Sequence, residues 1–149
     1  MYYGAGFRLL RDNADKGAHS IPISSQTVAV GDLLQQPVGA TDWTVVTSAS
    51  VSYTRKALAV ASATSSDTEV LAIELDGSED VQVQSANASL TADNGDRQAA
   101  TDKNTVNNSG TDVTTTTVVF LQRGTVGVTG DNEIWGNVLV GNGVVSTVT

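Results

Sequence analysis

The chain has 149 residues, 40% hydrophobic and 16% charged, with a formal net charge of −8 and no cysteine. That length suits one domain with a real core, and the composition is neither that of a disordered chain nor that of a membrane protein. Missing thiols exclude disulfides, thiolate catalysis and cysteine-based zinc sites, and the negative charge disfavours nucleic acid and anionic membrane surfaces as partners.

Residues 1–23 read as an irregular N-terminal arm. The stretch "GFRLLRDNADKG" has room for two turns of helix closing at Gly17, where a missing Cβ suits a helix C-cap. Residues 1–16 hold Arg8, Arg11 and Lys16 against Asp12 and Asp15, for +1, and the remaining five basic and fourteen acidic residues sum to −9. Tyr2, Tyr3, Phe7, Leu9 and Leu10 make this slightly basic start apolar as well. Either they fold back on the domain core or, with Arg8 and Arg11, they anchor the arm on a neighbouring subunit, as aromatic residues do at interfaces. No apolar h-region of about 7–15 residues is present, so no secretory signal is expected.

From residue 24 onward the pattern is that of strands. "SQTVAVGDLL" reads as a strand meeting a Gly-Asp break, and residues 44–54, "TVVTSASVSYT", alternate with a period of two and suit one half-buried strand. "KALAVASA" is apolar throughout and fits helix or strand. In "EVLAIELDGSEDVQVQ", Leu71, Ile73 and Leu75 share one face, as do Val81 and Val83, and "DGSED" has turn composition; the expectation is a hairpin.

Residues 91–110 are the most polar stretch and read as a long loop with at most one helical turn. "TDVTTTTVVFL" is then a long strand, solvated on both faces in its first half and buried on both in its second. Its apolar run, "VVFL", is far short of the roughly 20 residues a spanning helix needs. The remainder reads as short strands broken at Gly130, Gly136, Gly141 and Gly143. Many short strands with glycine turns predict an all-β fold, a small antiparallel sandwich or barrel-like domain over residues 24–149.

Reactive chemistry is sparse. His19 is the single histidine and has no nucleophile motif to serve, so neither a hydrolase triad nor a zinc site is expected. Asp93, Asn94, Asp96 and Asp102 share the polar loop, but the spacing of a calcium-binding loop is missing, and no phosphate-cradling glycine motif occurs. The expectation is no catalytic residue, no metal and no cofactor. Trp135, in the alternating "EIWGNVLV", reads as core; Trp43 opens a strand and suits either core or a shallow groove.

Three stretches, "TVAVGDLLQQPV", "RKALAVASATSSDTEVLAIELDGSEDVQVQ" and "EIWGNVLVGNG", resemble in order and composition the small β-rich decoration (cement) proteins of tailed-phage capsids, over residues 24–85 and 130–145. The resemblance implies a homotrimer on the outer capsid surface of a virion, clamping adjacent major capsid protein subunits through an extended terminal arm, with no small-molecule substrate. Here that arm would contact the capsid through Tyr2, Tyr3, Phe7, Arg8, Leu9, Leu10 and Arg11. The alternative is a β-sandwich binding module, for carbohydrate or host attachment, on a fibre or cell surface.

Overall fold

The computed structural model describes residues 6–10, 17–47, 53–85, 94–106, 118–126 and 133–140. These residues contain eleven strands and no helix. In chain order the strands are β1 (Arg8–Leu9), β2 (His19–Pro22), β3 (Leu33–Pro37), β4 (Thr44–Val45), β5 (Tyr53–Ala59) and β6 (Glu69–Leu75). Then follow β7 (Val81–Ser85), β8 (Arg97–Ala99), β9 (Thr105–Val106), β10 (Val118–Val126) and β11 (Glu133–Val138). One sheet runs β1-β7-β11-β10-β8, with β9 added to β7, and the other runs β2-β6-β5-β3-β4. Pairing is antiparallel throughout except between β7 and β9. The all-β expectation holds, with two antiparallel sheets.

Leu33, Leu58 and Leu75 from the five-stranded sheet meet Val81, Val83, Phe120, Ile134 and Val138 from the other in one buried cluster. The five-stranded sheet also buries its opposite face. There Leu34, Ala57, Ala59, Val70 and Ala72 are covered by Ile23, Val28, Trp43 and Ala63. This second cluster explains "KALAVASA": a strand buried on both faces shows no alternation, because Leu58 faces one core while Ala57 and Ala59 face the other. The alanines leave room for a covering segment, which Val28 and Ala63 hold by exchanging two backbone hydrogen bonds of 2.9 Å.

β4 lies at the edge of this sheet. The Gln26 side chain closes that edge: its Nε2 donates to Trp43 O and its Oε1 accepts from Val45 N, both at 2.7 Å. An amide thus takes the place of a neighbouring backbone and blunts the edge.

Several local expectations are corrected. Residues 75 and 81 do not form a hairpin, because β6 and β7 lie in different sheets. The "DGSED" turn instead carries the chain across the sandwich, so that Leu75 and Val81 enter the same core from opposite sides. Glu79 holds that turn by accepting from the N–H groups of Asp76 and Gly77. Residues 44–54 are not one strand: β4 and β5 flank β3 on opposite sides. Leu71 shares a face with Ile73 and Leu75 but is exposed, whereas Val70 and Ala72 are buried on the reverse side.

The described part of the polar stretch, residues 94–106, is not all loop. It contains β8 and β9, and Asp102 organises the turn between them by accepting from Asn104 N, Thr105 N and Thr105 Oγ1, each at 3.0 Å. Among its described residues, Ala100 and Val106 are the apolar ones that reach the core, too few to show a period. At the N-terminus, Arg8 and Leu9 are strand rather than helix; residues 11–16 lie outside the described residues. So does the Thr-rich half of the strand expected from Thr111. Gly136 is not a break but the middle of β11, where a Cβ would collide with the backbone carbonyl of Leu121. The register of β10 against β11 shifts between Gln122 and Gly124, a bulge that leaves Arg123 as the extra residue.

Candidate functional site

Within the span read as an arm, the described residues belong to the sandwich. β1 extends the six-stranded sheet beside β7, in register Arg8 to Gln82 and Leu9 to Val81. Backbone bonds tie it in on three sides: Gly6 N to Asn104 O at 3.0 Å, Phe7 N to Gly31 O at 2.7 Å and Leu10 N to Asp80 O at 3.0 Å. Phe7 is buried and meets Phe120 edge-on, with ring centroids 6.3 Å apart. Leu9 packs against the same cluster half-buried, and the Arg8 guanidinium donates to Gln82 Oε1 at 2.8 Å. Among the described apolar candidates of this group, Leu10, at 39% exposure, faces water. Tyr2, Tyr3 and Arg11 lie outside the described residues. Phe7 and Leu9 therefore fold back on the chain's own core, and among the described residues of this group Leu10 faces water.

The two tryptophans part company. Trp43 is 2% exposed and belongs to the second core cluster, so it lines no groove. Arg55 covers it, with the guanidinium carbon 5.2 Å from the ring centroid. That lid is held by a two-pronged ion pair with Glu74, Nε to Oε2 at 2.8 Å, and the same contact raises the Arg55 pKa. Trp135 is half-buried and stands on the outer face of the six-stranded sheet, opposite Gln82 on β7 and Gly124 on β10. A Cβ on Gly124 would strike the Trp135 indole, so the missing side chain gives the ring its place. Glu133 and Gln84 pair one step along the same face.

Lys56 is the feature that the sequence reading missed. It sits on β5 between Gln35 of β3 and Leu75 of β6, fully buried, and its Nζ donates to Leu139 O just past β11. Burial lowers its pKa from 10.5 to about 7. Strand parity carried the signal, since two residues from Leu58 means the same inward face. Asp32 is also deeply buried, 1% exposed. Its Oδ2 accepts from Ala29 N at 2.8 Å and pairs with Lys103 Nζ at 3.0 Å. Lys103 lines a cavity of about 280 Å³ between residues 45–47 and 101–104, which also presents Asp102 and Asn104.

His19 is exposed on β2, paired through the backbone with Ala72. Among the described residues no group of three or more His, Cys, Asp or Glu side chains is arranged to hold a metal ion. No family model, curated protein or solved structure matches this chain.

Two measurements check this account. Phe7→Ala removes a ring from a close-packed cluster and is expected to lower unfolding free energy by about 3–5 kcal/mol in urea titrations, a cost unlike that of a free arm residue. The second concerns pH. Unfolded, Lys56 keeps its proton up to its ordinary 10.5; folded, it keeps it only to about 7. The unfolded chain thus binds the extra proton between those values, and stability rises with pH across that window. Unfolding free energy is expected to increase by about 2 kcal/mol between pH 7 and pH 9, and Lys56→Met is expected to abolish the slope.

Proposed function

We propose that this chain is a non-catalytic structural protein of a virion, a capsid decoration subunit that acts as a homotrimer on the outer surface and bridges major capsid protein subunits. The observation that carries the non-catalytic part is the use made of the buried ionisable groups. Lys56 and Asp32 join one segment of the fold to another, through Leu139 O and Lys103, and Glu79 fixes the backbone of its own turn, as scaffold residues do. The capsid partner follows from the resemblance in residues 24–85 and 130–145. β1 supports the contact assigned to the N-terminus: Phe7 is a fixed anchor in the sandwich, with Tyr2 and Tyr3 before it and Leu10 and Arg11 after it.

The test is a ratio. In purified particles, mass spectrometry is expected to find about one copy of this chain per major shell subunit; its absence from particles overturns the reading. Deleting residues 1–5 keeps Phe7 and is expected to leave the melting transition unchanged while abolishing binding to stripped particles. Full binding by that truncation would remove Tyr2 and Tyr3 from the contact.

A second reading, a carbohydrate-binding module, is favoured by the face around Trp135. A half-buried indole on the outer face, with the half-buried Gln84 on the neighbouring strand, offers a stacking surface with a hydrogen-bonding group near it. On that reading Trp135→Ala abolishes saturable binding on a glycan array and leaves the fold intact. An array with no binding by the unaltered chain dismisses it.

A further inference from the structure

β2 ends the five-stranded sheet, and its backbone is open at one residue. Ile23 N donates to Thr68 O at 3.0 Å, so in the register of β2 against β6 the bonded pairs are Ile23–Thr68, Ile21–Val70 and His19–Ala72. Ser20 lies between them opposite Leu71, whose own carbonyl turns to β5 and accepts from Val60 N at 3.0 Å. The Ser20 N–H and C=O therefore point away from the sheet, and among the described residues no strand lies beside them. Pro22 has the same orientation, but it has no N–H to offer and its carbonyl is held by Trp43 N. The face next to this edge is apolar. Along β6, Leu75 is buried, Ile73 half-buried and Leu71 42% exposed, since the six-stranded sheet packs on Leu75 and stops short of Leu71. The short Ser20 side chain leaves Leu71 uncovered from the β2 side as well.

A further open edge lies across the molecule. Leu10 N bonds Asp80 O, so by the same alternation Leu9, half-buried opposite Val81, turns its N–H and C=O away from β7. Just before it, Phe7 N reaches Gly31 O, and Gly31 N reaches Ala59 O of β5. β1 thus meets the five-stranded sheet on the β3 side of β5, whereas β2 lies on the other side, beyond β6. We propose that these two edges join between molecules: β2 of one copy receives β1 of a second copy, Ser20 paired with Leu9, so that chains assemble head to tail into a closed ring. The ring has three members, a number that rests on the homotrimer reading above. Paired residues share a face, so Leu9 is the large apolar side chain that covers Leu71 across the small Ser20. Two β2 edges related by a two-fold axis fit poorly, because Pro22 would face Ala18 of the other copy without a donor and where Trp43 already holds its carbonyl. Unlike edges on opposite sides of one molecule make a head-to-tail contact, which is the kind that closes rings. The contrast with β4 is direct: Gln26 plugs that edge, and β2 has no such plug.

Sedimentation equilibrium of the intact chain over a concentration series is expected to show a trimer that dissociates on dilution. Ser20→Pro removes the outward donor and none of the bonds to β6, and Pro22 already holds the equivalent position. It is expected to keep the melting transition and to weaken association at least about tenfold. Leu71→Glu, at an exposed position, is expected to weaken association in the same way. In the unaltered chain the Ser20 amide is expected to exchange slowly in the trimer and at close to the unprotected rate after dilution, a readout that stands even if the proline variant does not fold. A monomer or dimer at every concentration overturns the ring. So does a trimer that Ser20→Pro leaves intact, or one in which the Ser20 amide exchanges unprotected. The copy number in particles is read separately, so a chain that is monomeric in solution yet present once per shell subunit would sink this contact and leave the decoration reading standing.

Discussion

A sheet that must bury both of its faces is the constraint on which the rest of this structure depends. The five-stranded sheet has the six-stranded sheet on one side, and irregular chain, a tryptophan and an arginine on the other. Two cores from so few large apolar residues require close approach. That is why the second face is made of Ala57, Ala59, Ala63 and Ala72, and why Trp43, the largest side chain available, fills the gap they leave. Arg55 then supplies, with its planar guanidinium, the cover that a third layer would otherwise provide, and Glu74 keeps it there.

Polar groups close what apolar groups cannot reach. The Gln26 amide ends the sheet beyond β4, the Glu79 carboxylate shapes the crossing between sheets, and Asp102 sets the turn between β8 and β9. These bonds run between side chain and backbone over short distances, so each local segment is held without a disulfide in a chain that has no cysteine. Lys56 is the exception in kind. Its contact spans 83 residues and joins the two sheets, and it does so with a group that burial has made easy to neutralise. The same amine that ties the corner is therefore sensitive to a change in pH.

The N-terminal segment shows how placement changes a functional reading. Its aromatic and aliphatic residues fit equally a core and an interface when only their composition is known. β1 assigns Phe7 and Leu9 to the core and leaves Leu10 facing water, so one short strand serves as an anchor rather than as a free arm. Trp43, whose pattern fitted core and groove alike, is sealed in, whereas Trp135, in an alternating strand that read as core, is half-buried on an outer face.

By itself the sequence determined the class of this protein. The β-branched runs around Val83 and Val119, the turn residues at Asp76 and Gly77 and the absence of cysteine are local properties, and local properties decide whether a segment is strand or turn and whether thiol chemistry exists. Only the tertiary structure decided which strand lies beside which. The "DGSED" turn suits a hairpin and a crossing between sheets equally well, because its residues specify a reversal and not the sheet that receives it. Gly136 likewise reads as a break until Leu121 is seen against it. Burial of Lys56 depends on β11 arriving over β5 from far along the chain, a contact that no local pattern contains. Composition and period act within a few residues; pairing and burial are set by partners dozens of residues away.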